Sequence, residues 1–117
     1  MGAPQELALT LFRLRPGVSV EEYRAFSLGT VRAGMLTMPA VEGFLDLAVT
    51  GSFTGTDGWD VVELIQISSR AAFERDNDTV GAALAAEWET WVADYRVLFL
   101  EDLDRSATEP APLHIAG

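Results

Sequence analysis

Two segments of the sequence favour β-strands and carry apolar side chains on both faces. In residues 7–14, Leu7, Leu9 and Leu11 alternate with Ala8, Phe12 and Leu14. In residues 59–67, Val61, Ile65 and Ile67 alternate with Val62 and Leu64. Successive side chains of a strand point to opposite faces of its sheet, so both faces of this sheet need cover. A chain of 117 residues must therefore bury a sheet on two sides.

The order of the segments predicts which elements surround this sheet. Pro16 and Gly17 end the first strand, and Ser19 with Glu22 forms a capping-box pattern that starts a helix running to about Met38. The segments that follow are a strand at 44–50, a glycine-rich turn at 51–58, the strand at 59–67, a helical turn at 69–75, a helix at 79–94 capped by Asp78, and a strand at 97–103.

The resulting βαββαβ order predicts an α+β, ferredoxin-like fold. We expect a four-stranded antiparallel sheet with two helices on one face, formed by a single domain over residues 1–103. Residues 104–117 contain two prolines and are predicted to be an extended tail. One chain has no element left for the second sheet face, so a second copy is the expected cover, which predicts a homodimer.

The charge balance excludes several classes of partner. Eight Lys and Arg residues against 18 Asp and Glu give a net charge of −10, which repels phosphate backbones and anionic lipids. We therefore expect no nucleic-acid partner and no membrane partner. The segment 1–6 has neither a basic start nor an apolar run, so no signal peptide is expected and the predicted location is cytoplasmic.

The sequence also predicts the absence of metal and cofactor. It contains no cysteine and one histidine, His114, in the predicted tail. No Gly-x-Gly-x-x-Gly segment follows a strand, no phosphate loop occurs and no Gly-x-Ser-x-Gly elbow is present.

The two predicted helices indicate a pocket for a flat aromatic molecule. The first helix has a small, partly polar centre at Ser27, Thr30 and Gly34, whereas the second carries large aromatic side chains. A cavity between helices and sheet would then be lined by the predicted substrate-binding residues Ser27, Thr30, Met38, Trp88, Trp91 and Tyr95. The alternative is that the tryptophans fill the space over Ser27 and Gly34 as ordinary core residues.

Three residues are candidates for proton transfer. Glu63 lies in the middle of an apolar strand, where burial would raise its pKa and suit it to act as a general base; the alternatives are a salt bridge with Arg13 or exposure to solvent. Tyr23 has a hydroxyl that would orient a substrate, or would be satisfied within the core. His114 would be a proton shuttle if the tail closed over the pocket, and otherwise a plain tail residue.

Several segments resemble a known group of proteins. Pro16-Gly17-Val18 after the first strand and Val41-Glu42-Gly43-Phe44 before the second resemble the dimeric α/β-barrel superfamily. Within it, WDVVELIQI followed by Ala72-Phe73-Glu74-Arg75-Asp76, the helix with Trp88 and Trp91, and VLFLEDL resemble the REDY-like (HapK) family over residues 7–103.

The resemblance implies a dimer whose two sheets form a barrel, in a bacterial pathway of prodiginine or bisindole biosynthesis. It further implies an enzyme that works without metal or cofactor, including on the cyclisation of bisindole intermediates. A cofactor-free cyclase acting on a bisindole-type, small aromatic substrate is therefore the expected function. A cofactor-independent monooxygenase of polycyclic aromatics and a ligand-binding dimer without turnover are the alternatives.

Overall fold

The structure, a computed structural model, describes residues 6–55 and 58–103. The strands are β1 (Glu6–Leu14), β2 (Val41–Ala48), β3 (Val61–Ile67) and β4 (Val92–Glu101). The helical elements are α1 (Val20–Phe26), a π-helical turn (Ser27–Val31), α2 (Arg32–Leu36), α3 (Arg70–Asp78) and α4 (Ala82–Glu89).

The four strands form one antiparallel sheet in the order β2-β3-β1-β4. The helix between β1 and β2 crosses over the sheet while β3 pairs between them, which is the split βαβ arrangement. The predicted α+β, ferredoxin-like topology is thus confirmed. Among the described residues, no helix is both long enough and apolar enough to cross a membrane.

The first helix begins where the sequence predicts. The Ser19 hydroxyl accepts a hydrogen bond from the Glu22 amide at 3.1 Å, and the Glu22 carboxylate accepts one from the Ser19 amide at 3.1 Å. This reciprocal pair satisfies two amide groups that a helix start leaves unpaired. The helix widens into its π-helical turn at Ser27 and ends at Leu36, two residues before the predicted limit.

The second helical region differs from the prediction. The predicted turn at 69–75 is part of the nine-residue α3, which starts at Ser69, whose hydroxyl accepts from the Ala72 amide at 3.1 Å. Asp78 is the last residue of α3 and not the cap of α4, which starts after Gly81 without a side-chain cap. Three helical units, and not the predicted two, therefore cover the sheet: the first helix, α3 and α4.

Strand β4 also starts earlier than predicted, at Val92 and not Val97. Its pairing with β1 runs from Leu14–Val92 to Glu6–Glu101, so ladder hydrogen bonds claim residues that helical periodicity had assigned to α4. Tyr95, predicted on the helix, accordingly lies on β4, opposite Phe12 of β1.

The two faces of the sheet are both apolar but differ in burial. Toward the helices, Ala8, Phe12, Phe44 and Ile65 are at most 2% exposed. On the opposite face, the leucine face, the side chains are half-buried or exposed: Leu7, Leu9, Leu11, Leu45, Leu47, Val62, Leu64, Leu98 and Leu100. This face remains uncovered in the single chain.

The helices approach one another closely at two glycines. A Cβ atom added at Gly81 would lie 2.8 Å from Sδ of Met38, a side chain that is 1% exposed. A Cβ atom at Gly34 would lie 2.7 Å from the side chain of Leu84. The small residues of the first helix are therefore filled by the facing helix at Gly34.

We expect Gly81→Ala to lower the free energy of unfolding by about 1–3 kcal/mol, because Met38 is enclosed and cannot move aside. Gly29→Ala is the matched control: its Cβ meets no atom within 4 Å, and replacing a helical glycine contributes about 0.5–1 kcal/mol in the stabilising direction. Urea denaturation of both variants measures this difference. Equal stability of Gly81→Ala and wild type would show that the contact is slack.

Candidate functional site

A row of three polar side chains crosses the helix-facing side of the sheet. Glu63 on β3 is paired with Thr10 on β1 and with Asp46 on β2. Thr10 is 5% exposed and Glu63 is 6% exposed. Because a buried charge is costly unless it is paired, the state of this row depends on how its groups bond to one another.

The carboxyl groups of Glu63 and Asp46 hydrogen-bond to each other, which requires a proton on one of them. Oδ2 of Asp46 accepts a hydrogen bond from the Ser27 hydroxyl at 2.5 Å. Oδ1 of Asp46 is buried and has no amide or hydroxyl donor within the described part of the chain. A protonated Glu63 supplies that donor.

The electrostatics assign the proton to Glu63. Burial raises the pKa of Glu63 well above its ordinary value, and the charge of Asp46 and the hydrogen bond to it raise it further. Burial also raises the pKa of Asp46, but the hydrogen bonds from Ser27 and Glu63 oppose that rise. At neutral pH the pair is therefore a neutral Glu63 donating to an ionised Asp46.

Tyr23 lies over this pair and stays neutral. It is 2% exposed; burial raises its pKa above the usual range, and the carboxyl groups of Glu63 and Asp46 add to the rise. Its hydroxyl accepts a hydrogen bond from the indole nitrogen of Trp88 at 3.0 Å. Tyr23 can thus orient neighbouring groups, but it cannot act as a base near neutrality.

The larger of two cavities, about 380 Å³, lies between the helices and the sheet and reaches Glu63. Its apolar walls include Phe73, Trp88, Tyr95 and Phe99. Trp88 is held in place by edge-to-face contacts with Phe12 and Tyr95, each with ring centroids 5.1 Å apart. The larger cavity is thus an aromatic-walled space with one buried carboxylic acid in its lining.

The smaller cavity, about 220 Å³, lies on the other side of the carboxyl pair, next to β2. Its lining includes Tyr23, Ser27 and Asp46, with the exposed side chains of Arg24 and Arg32. Glu63 lines only the larger cavity and Asp46 only the smaller one. The hydrogen-bonded pair therefore separates the two spaces.

The structure divides the predicted site residues among three places. Glu63, Trp88 and Tyr95 line the larger cavity, and Tyr23 and Ser27 line the smaller one. The remaining described candidates line neither cavity: Thr30, Met38 and Trp91. His114 lies outside the described residues.

Packing explains the departures from the predicted lining. Met38 is enclosed against Gly81, and Trp91 lies in the turn before β4, stacked on Phe26 with centroids 4.6 Å apart. For Trp91 the alternative interpretation, an aromatic core residue, is the one that the structure shows. Thr30 is half-buried on the π-helical turn.

The sequence interpretation of Glu63 also needs one correction and one addition. Arg13, its suggested partner, lies on the opposite face of the sheet and pairs with Asp94 at 2.6 Å. The partner that sequence reasoning missed is Asp46. Its signal was available, because Asp46 interrupts an apolar predicted strand just as Glu63 does.

Metal binding has little support in this arrangement. Within residues 6–55 and 58–103, no group of three or more His, Asp and Glu side chains could hold a metal ion. The chemistry that the described site offers is proton transfer by Glu63 beside an aromatic-walled cavity.

We expect Glu63→Gln to flatten the pH dependence of stability. Unfolded glutamate ionises above pH ~4.3, whereas folded Glu63 keeps its proton, so wild-type unfolding free energy falls as pH rises, by up to about 1.4 kcal/mol per pH unit, until the raised folded pKa is reached. The glutamine amide of the variant would donate permanently to Asp46, so the variant should be the more stable protein at neutral pH. Thermal melts at acid and neutral pH measure this, with Glu87→Gln on the exposed side of α4 as control. A wild-type slope in Glu63→Gln would mean that Glu63 is ionised in the fold.

Comparisons with known proteins place this fold and site in context. The profile of the family described as REDY-like protein HapK matches residues 6–103. The crystal structure of HapK from Hahella chejuensis is similar, with TM-score 0.72 and 22% identity, covering 91% of this chain and 98% of that one. No curated protein matches the sequence.

Two further solved structures share the fold. A hydroxynitrile lyase from Passiflora edulis has TM-score 0.68 and 15% identity, covering 92% of this chain and 98% of its own. A protein from Thermobifida fusca described as dimeric and ferredoxin-like has TM-score 0.59 and 16% identity, covering 86% and 92%. The family profile spans every described strand and helix, and this chain therefore belongs to the REDY-like HapK family.

Proposed function

We propose that this protein is a cofactor-free enzyme of bacterial aromatic natural-product biosynthesis that promotes ring closure of a bisindole-type intermediate. The observation that carries the proposal is a protonated carboxyl group, that of Glu63, facing an aromatic-walled cavity. Membership of the HapK family supports the setting.

The larger cavity suits a flat, mostly apolar ligand. Its volume, about 380 Å³, falls within the range of about 300–1,000 Å³ that small-molecule sites occupy. Trp88 and Tyr95 offer ring faces and edges, and their mutual contact limits their motion before a ligand arrives. Holding a flexible intermediate between fixed rings supplies the positioning that an intramolecular ring closure needs.

Charge narrows the class of ligand further. The lining of the larger cavity includes Glu74, Asp78 and Glu89 and contains neither lysine nor arginine. A carboxylate ligand would meet repulsion there, whereas indole and pyrrole N–H groups, or a cationic nitrogen, would meet acceptors. The cavity therefore favours neutral or cationic nitrogen heterocycles.

Glu63 acts first as an acid in this proposal and not, as its sequence context suggested, as a base. It donates its proton to an atom of the bound intermediate and thereby activates that atom for bond formation. The carboxylate that remains lies beside ionised Asp46, so like-charge repulsion makes it a strong base that removes a proton from the newly closed ring. The cycle returns Glu63 to its protonated state without net proton consumption.

We expect Glu63→Gln to fold normally and to lose at least about tenfold in turnover of a bisindole intermediate, because the amide keeps the shape but cannot transfer the proton. Glu87→Gln, with its exposed side chain, serves as the control. Product analysis by mass spectrometry, with and without oxygen, measures the effect.

The same assay separates the alternatives. A cyclase gives an isomeric product without oxygen, and a monooxygenase gives product only with oxygen. A carrier binds the intermediate and releases it unchanged. Full activity of Glu63→Gln would refute the role of Glu63 even if cyclisation occurs.

We further propose that two copies of the chain pair through the leucine face defined above. The face is apolar across all four strands, and no described element of the same chain covers it. Sheets pack face to face when such surfaces are buried together. The fold relative from Thermobifida fusca, described as dimeric, supports the same assembly.

We expect sedimentation of wild-type protein to give two 12.7 kDa chains per particle, and Leu98→Asp to give one. Leu98 is 48% exposed in the single chain, so the substitution disrupts the interface more than the fold. Val80→Asp, at a residue that is 58% exposed between α3 and α4, is the matched control and should remain a dimer. A dimeric Leu98→Asp would place the interface elsewhere.

A further inference from the structure

We propose that Asp46, held by Ser27, is a positioning residue that keeps the proton on Glu63 and exchanges that proton with solvent through the smaller cavity. The larger cavity would then bind substrate and exclude water, while protons enter and leave from the opposite side of the sheet row. The inference deepens the proposed function and rests on it only for the step that uses substrate.

The first argument is the position of the pair between two cavities. Glu63 lines the larger cavity and Asp46 the smaller one, and their carboxyl groups are hydrogen-bonded. A proton on Glu63 is thus one hydrogen bond away from a carboxylate that lies in a different space. No other described side chain of the row lines the smaller cavity, since Thr10 lines only the larger one.

The second argument is access to solvent. Several residues around the smaller cavity are exposed, among them Arg24, Leu28, Arg32 and Ala48, and Asp46 itself is only partly buried. Glu63, in contrast, is 6% exposed. Water therefore reaches the Asp46 side of the pair more readily than the Glu63 side, which a bound aromatic ligand would close.

The third argument is the bonding of Asp46. Ser27 donates to Oδ2, while Oδ1 has no amide or hydroxyl donor among the described residues. One oxygen is thus fixed by the helix and the other is left for the proton of Glu63. The π-helical turn starts at Ser27, and this widened turn places the serine hydroxyl toward β2.

The proton balance of the path is simple. When Glu63 has given its proton to substrate, water in the smaller cavity protonates Asp46 and leaves hydroxide, which bulk buffer neutralises. Asp46 then passes a proton to Glu63 through the hydrogen bond that joins them, and the reverse sequence releases a proton. No bond other than O–H bonds forms or breaks.

Other titratable and charged groups surround the pair and must be considered in any pH experiment. They are Tyr23, Arg24 and Arg32 on the first helix, Glu74 and Asp78 on α3, Glu89 on α4, and Tyr95 on β4. Of these, Tyr23 faces both carboxyl groups and stays neutral near neutrality. The others line the cavities.

The positioning role is tested by carbon NMR titration of protein labelled in its glutamate and aspartate carboxyl carbons, without substrate. Asp46→Asn removes the like charge beside Glu63, so we expect the Glu63 midpoint to fall by about one pH unit or more. The alkaline limb of the pH–rate profile should move by the same amount. Glu42→Gln, an exposed residue of β2 that removes the same formal charge, should leave both midpoints unchanged.

Ser27→Ala provides a second variant that keeps both carboxyl groups. Without its serine donor, Asp46 becomes more basic, so part of the proton should move from Glu63 to Asp46. The Asp46 carboxyl signal then shifts toward its protonated position at neutral pH. An unchanged Glu63 midpoint in Asp46→Asn, or an unchanged Asp46 signal in Ser27→Ala, would overturn the positioning role whether or not the protein is a cyclase.

The path itself is tested with Ala48→Trp, which fills the mouth of the smaller cavity. After a rapid pH jump, the infrared band of the protonated Glu63 carboxyl reports how fast the proton leaves. We expect indole, added to fill the larger cavity, to leave this rate unchanged in wild type, and Ala48→Trp to slow it several-fold with an unchanged midpoint. Loss of exchange on adding indole, or a wild-type rate in Ala48→Trp, would show that the proton leaves through the larger cavity.

Discussion

The register between the three strands β1, β3 and β2 is the constraint on which the site depends. It sets Glu63 directly between Thr10 and Asp46 on the buried face, so two carboxyl groups must share a proton in a mostly apolar layer. A shift of one residue in β3 would exchange Glu63 for Val62 or Leu64 and turn the carboxyl to the leucine face. The antiparallel ladder with β1 and β2 on both sides of β3 prevents that shift.

The two sides of the sheet consequently have different tasks. The helix-facing side carries the carboxyl pair, the aromatic contacts of Trp88 and both cavities. The leucine face carries no such row and presents a continuous apolar surface. A sheet with this division can place its chemistry under the helices and leave its other face for a second copy, which is consistent with the proposed pairing.

Membership of the HapK family and the local geometry support the proposed activity in different ways. The family profile covers the whole described fold but does not itself identify the reacting groups. The site identifies an acid, Glu63, its partner Asp46 and an aromatic enclosure, but not the substrate. The fold relatives include a hydroxynitrile lyase, so the shared architecture does not dictate one reaction. The chemistry has to be argued from the carboxyl pair.

The sequence by itself determined the βαββαβ order, the two apolar faces, the start of the first helix at Ser19 and the presence of an interior acid at Glu63. These follow from local patterns: strand alternation, a capping box and a charge among apolar neighbours. Only the tertiary structure decided the partner of Glu63, because Asp46 lies on a different strand, distant in the chain, and reaches it through strand pairing. The same holds for Tyr95 and Trp91, since pairing with β1 ended α4 early and placed one on a strand and the other in the core.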